Sequence, residues 1–143
     1  MSRLMTRMSV VLAALLFSVG FAGAQETKTK VRINPTAADS GDEMYKEYCA
    51  DCHGKTGKGD GPAAAALKTP PPDLTLLAKK NGGKFPADRV RSVLDMGVAE
   101  TAHGTKEMPI WGPLFRAISR RDARVVNLRI SSLTNYIKAM QTK

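Results

Sequence analysis

Apolar side chains recur at helical spacing in three stretches of the chain, and no segment alternates apolar and polar residues as a half-buried strand would. Met44, Tyr45 and Tyr48 share one face, and Ser40 with Glu43 three residues later forms a capping box ahead of them, so the pattern predicts a helix over residues 41–52. Val90, Val93 and Leu94 mark a second helix that starts at Pro86 and ends before Gly97. The third and longest covers residues 123–140, with Val126, Ile130, Leu133, Ile137 and Met140 on one stripe. A short helix is predicted over residues 74–80, stopped by Asn81-Gly82-Gly83. The glycine-rich run from Gly54 to Pro62 and the Gly/Pro-rich stretch around Met108 read as loops. The expectation is an all-α domain of about four helices joined by long loops.

Both ends of the N-terminal region differ from this pattern. Arg3 and Arg7 precede an apolar run over residues 10–21, and Ala22-Gly23-Ala24 supplies small residues. This is the three-part layout of a secretory signal peptide, residues 1–24, with cleavage expected after Ala24. The apolar run falls short of the about 20 residues a membrane-spanning helix needs, although retention as an anchor is the competing reading. Residues 25–38 are polar, contain Pro35 and lack a hydrophobic period, which predicts a flexible leader ahead of a single domain over residues 39–143.

Composition narrows the class. The chain has 143 residues, 43% hydrophobic and 24% charged, as in an ordinary globular protein. Lys and Arg number 22 against 13 Asp and Glu, for a formal charge of +9; loss of residues 1–24 removes two arginines and leaves +7. Export, and the absence of aromatics interleaved with the basic residues, argue against nucleic acid as the partner. The two cysteines exclude a disulfide scaffold.

Those cysteines lie in Cys49-Ala50-Asp51-Cys52-His53, the C-x-x-C-H arrangement of covalent c-type haem attachment. Two thiols two residues apart can add to the two vinyl groups along one porphyrin edge, and the following histidine then falls beneath the iron. A thioredoxin-like pair would need a βαβ pattern, a structural zinc site would need about four ligands, and a plain disulfide would have no use for His53. Among the methionines beyond the signal segment, Met44, Met96 and Met140 fall on apolar helical positions, where a thioether usually fills core. Met108 sits in a loop before Pro109 and is the candidate sixth ligand; His103 is its rival.

On these residues the chain resembles the class I cytochrome c family over most of its length after the signal. Gly41 and Tyr45 stand at the family's glycine and aromatic positions before the first haem cysteine, Leu133 and Tyr136 match the pair they cross, and Met108-Pro109 matches the ligand loop. Gly59-Asp60-Gly61-Pro62, Pro72-Asp73-Leu74-Thr75 and Met108-Pro109-Ile110-Trp111-Gly112 look like bacterial periplasmic members. The resemblance implies a cytochrome c fold wrapped around one covalent haem c, held by Cys49 and Cys52 with His53 and Met108 as axial ligands. It also implies that the carbonyl of Pro62 accepts the His53 Nδ1–H; otherwise Pro62 is a turn proline. Trp111 either packs along the haem edge, donating its indole N–H to a propionate, or is an ordinary core aromatic.

The function expected is that of a periplasmic one-electron carrier rather than an enzyme. The alternative is a haem-bearing subunit of a respiratory dehydrogenase or oxidase complex, associated with a membrane. Its partners would be a redox donor and acceptor, and the charge of +7 favours an acidic docking surface on them. Lys55 and Lys58, beside the haem motif, are the candidate contacts.

Overall fold

The computed structural model describes residues 34–97 and 108–142. They form six α-helices: α1 Gly41–Tyr48, α2 Ala50–His53, α3 Leu77–Lys80, α4 Ala87–Met96, α5 Trp111–Ile118 and α6 Ala123–Ala139. Short 3-10 turns occupy Ala64–Ala66 and Leu74–Leu76, and there is no strand among the described residues. The expected signal segment, the leader up to residue 33 and His103 lie outside the described residues.

Side chains satisfy the helix starts. Ser40 Oγ accepts from Glu43 N at 3.2 Å. The reciprocal half of the capping box is not made, because the Glu43 carboxylate accepts from Ala37 N at 3.4 Å instead. Asp122 Oδ1 accepts from Arg124 N at 2.9 Å and starts α6. The first helix is not continuous to residue 52 as expected. It breaks at Cys49, whose φ of −120° ends α1, and a single further turn, α2, carries Cys52 and His53.

α1 crosses α6 at very short range. A Cβ on Gly41 would stand 2.3 Å from the Ser132 carbonyl oxygen, so only glycine lets the two backbones meet there. One turn along, the rings of Tyr45 and Tyr136 lie 5.2 Å apart, and Met44, Tyr45 and Leu133 are fully buried. α4 and α5 also pack on α6 and on each other, where a Cβ on Gly112 would meet the Asp95 carbonyl oxygen of α4. Val126, Ile130, Leu133 and Ile137 form the buried stripe of α6, as their spacing predicted.

Three expectations need correction. α5 occupies sequence read as loop: Trp111, Leu114, Phe115 and Ile118 have helical spacing, and Pro113 sits in the first turn, where its missing N–H costs little. Met96, assigned to core, is 69% exposed because it ends α4 just before Gly97. The end of the leader is also not loose. Tyr48 Oη donates to the Asn34 carbonyl at 2.7 Å, Asn34 Nδ2 donates to Glu47 at 2.7 Å, and Arg129 donates to Thr36 Oγ1 at 3.2 Å.

Gly41→Ala should lower the stability of the haem-loaded protein by about 1–3 kcal/mol, since the new methyl must push α1 away from α6. Denaturant unfolding checks this as a lower midpoint at an unchanged slope; an unaltered midpoint would show that the crossing can open without cost.

Candidate haem site

α2 delivers the C-x-x-C-H residues to the wall of a cavity of about 350 Å³. Cys49, Cys52 and His53 line one side of it, Leu74, Leu77, Val90 and Val93 line others, and Met108, Pro109 and Trp111 complete the wall. His53 and Met108, 55 positions apart in sequence, thus face the same space. Trp111 combines its two expected roles in part: it lines the cavity, and it packs on Tyr48 and Phe115 with ring centroids 5.4 and 6.0 Å away.

The glycine loop explains how so short a helix is held. Gly59 N donates to the His53 carbonyl at 2.8 Å, Gly61 N to Cys52 at 3.2 Å and Ala63 N to Asp51 at 2.8 Å. These bonds satisfy the carbonyls that a helix end leaves without partners. Close approach demands the glycines. Gly59 has φ +81° and its Cβ would lie 2.3 Å from the Pro71 carbonyl oxygen, while a Cβ on Gly61 would lie 2.3 Å from that of Asp51. On its other side the loop accepts Leu74 N at the Gly57 carbonyl, 2.7 Å away, which fixes the proline segment before Leu74.

That segment orients the histidine. His53 Nδ1 faces the Pro72 carbonyl at 3.4 Å. The expected partner was Pro62, which is exposed and leads into the Ala64–Ala66 turn. Gly61 docks on α2 and carries Pro62 away from the ring, while the Gly57–Leu74 bond brings Pro72 up to it. With Nδ1 turned to a carbonyl, Nε2 is the nitrogen left for a metal. Burial lowers the His53 pKa, more than the Pro72 carbonyl raises it, and so favours the neutral imidazole that ligates.

Sequence reasoning also missed Tyr45 Oη, which donates at 2.8 Å to the Gly54 carbonyl and buttresses the turn directly after His53. Its burial raises the phenol well above its usual range, so it stays a donor. Cys49 is 7% exposed; burial, then the nearby Cys52, pushes its thiol up to about 12. The two cysteines are not joined in a disulfide, and Cys52 is half-buried. Lys55 and Lys58 are exposed but do not line the cavity; the cations that do are Lys80 and Arg89.

The donor set fits a haem. A largely apolar cavity holds an imidazole and a thioether together, with two thiols beside the imidazole, as a c-type haem requires. The all-α fold and this site are those of a c-type cytochrome of the class I kind. A family model described as cytochrome c oxidase, cbb3-type, subunit III matches residues 36–126, and the chain belongs to that family. No curated protein and no solved structure matches the chain. Membership makes covalently bound haem c the cofactor and haem-based electron transfer the activity.

Replacing both Cys49 and Cys52 with alanine should leave a protein that is colourless after denaturing electrophoresis and haem staining, whereas the unaltered protein keeps a coloured band. A coloured band from the double variant would show that the haem is bound through other residues.

Proposed function

We propose that the protein is a periplasmic electron carrier that holds one haem c between His53 and Met108. The observation that carries this reading is that these two side chains line one cavity, flanked by Cys49 and Cys52. The haem supplies one-electron exchange between ferric and ferrous iron. The protein's own residues set the conditions for it. Cys49, just before α2, and Cys52 within it would hold the group covalently, and His53, turned by Pro72, would offer Nε2. Met108 offers a soft thioether that favours the ferrous state and so raises the potential. Leu74, Leu77, Val90 and Val93 give the cavity apolar walls. A haem held by both His53 and Met108 would leave no side of the iron for a substrate, which suits a carrier better than an enzyme. The periplasmic assignment rests on the signal-like residues 1–24.

A second reading is favoured by the family to which the chain belongs: a fixed haem-bearing subunit of an oxidase assembly. Size-exclusion chromatography of gently solubilised native membranes and of the periplasmic extract separates the two. A free carrier elutes at its own mass, whereas a subunit co-elutes with the larger assembly.

Met108→Ala should remove the weak far-red absorption band of methionine-ligated ferric haem, lower the midpoint potential and admit carbon monoxide to the ferrous form. His103→Ala should leave all three unchanged. The opposite pattern would make His103 the sixth ligand.

Electron exchange with an acidic partner should slow as salt rises, because screening weakens the attraction to the basic chain. Lys80→Gln should weaken that dependence more than Lys55→Gln or Lys58→Gln, since Lys80 lines the cavity and the others do not. Stopped-flow rates across a salt series measure this.

A further inference from the structure

The corner between α5 and α6 turns through two consecutive residues of positive φ, neither of them glycine. Arg120 and Arg121 both have positive φ, 50° and 64°, a region where glycine is the favoured residue at a helix end. The corner is held firmly: Ser119 N donates to Phe115 at 3.0 Å, Arg121 N to Arg116 at 2.8 Å and Asp122 N to Ser119 at 3.0 Å. Two glycines would make the same turn with less strain.

The side chains at this corner are unspent. Arg120 and Arg121 are exposed, and their side chains make no hydrogen bond or ion pair among the described residues. Their neighbours differ: Arg116 is bound to Asp95 at 2.8 Å and Arg124 to Asp122 at 3.2 Å. Directly beneath lies Arg129, 5% exposed, whose guanidinium is held by the hydroxyls of Ser119 at 3.1 Å and Thr36 at 3.2 Å rather than by a carboxylate. A buried cation without an anion adds its field to the two exposed ones above it. On the same face of α6 as Arg124, Leu128 is 45% exposed.

The corner is also remote from the cavity. Trp111, at the other end of α5, lines the cavity wall, and the eight residues of α5 extend about 12 Å at 1.5 Å each. Neither Arg120 nor Arg121 lines the cavity.

We propose that the α5–α6 corner is a second docking surface, which seats an acidic patch of a partner protein through Arg120 and Arg121. The guanidinium fork matches carboxylates two atoms at a time, and a rigid corner aims two forks in fixed directions. A lipid surface is less well matched, since one exposed leucine gives little to bury, and membrane-binding basic segments draw on clusters of several cations. Such a surface would hold the chain to its partner while leaving the cavity opening free.

The test uses the purified haem-loaded protein and immobilised poly-L-glutamate at low salt. Arg120→Gly/Arg121→Gly should bind about three- to ten-fold more weakly, as expected for two exposed ion pairs. Its melting temperature should be equal or higher, because glycine relieves the positive φ, and its midpoint potential should not move. Arg120→Gln/Arg121→Gln, which keeps the strain, should lose the same affinity. Lys79→Gln/Lys84→Gln, which removes equal charge elsewhere, should lose less than about two-fold. Equal losses in the lysine and arginine variants would overturn the proposal in favour of net charge alone. Vesicles of phosphatidylglycerol and phosphatidylethanolamine in equal parts provide the other arm. If they retain the unaltered protein more tightly than poly-L-glutamate does, and release the arginine variants, the surface faces lipid and the proposal fails.

Discussion

The contact between the Gly41 and Ser132 backbones governs the rest of the structure. Because no side chain intervenes, α1 and α6 lie close enough for Tyr45 to reach Tyr136 and for Met44 and Leu133 to be fully buried. That seats α1 with Tyr48 of its last turn on the cavity wall, and after the break at Cys49 α2 brings Cys52 and His53 to the same wall. Tyr45 joins the two levels. Its ring belongs to the crossing, and its hydroxyl holds the Gly54 carbonyl directly behind the histidine.

The two sides of the fold are unequal. Among the described residues the buried apolar core is drawn from α1, Cys49, α4, α5 and α6, and its largest fully buried members are Tyr45, Phe115, Met44 and Leu133. The stretch from the glycine loop through α3 adds no fully buried hydrophobic residue to that core; Leu74 and Leu77 are only partly buried and face the cavity. That side of the protein turns its apolar residues to the cavity. A domain this small buries a limited core by itself, so haem contributes to its stability as well as its chemistry.

The sequence made the helices with strong local signals legible. Ser40 as an N-cap and the long stripe of α6 depend on neighbours three and four residues away, which the chain displays directly. α5 was hidden by Gly112 and Pro113, residues that read as loop unless their place in a first turn is known; the spacing of Trp111, Leu114, Phe115 and Ile118 was the available signal. In the site, Cys49, Cys52 and His53 were evident because their spacing is itself the chemistry. Pro72 and the cavity-facing Lys80 and Arg89 were not, since their positions follow from contacts between distant segments, such as the Gly57–Leu74 bond, that no local pattern encodes. The exposure of Met96 has the same origin. An apolar periodicity locates a helix face but not where the covering element stops.

The helix crossing also imposes an order of events on the chain. Gly41 and Ser132 are about ninety residues apart, so the contact cannot close until nearly the whole polypeptide is available, and closing so large a loop is slow. Cys49 lies inside that loop and lines the cavity with 7% of its surface exposed. The C-x-x-C-H motif is therefore made before the crossing that seats α1 can form.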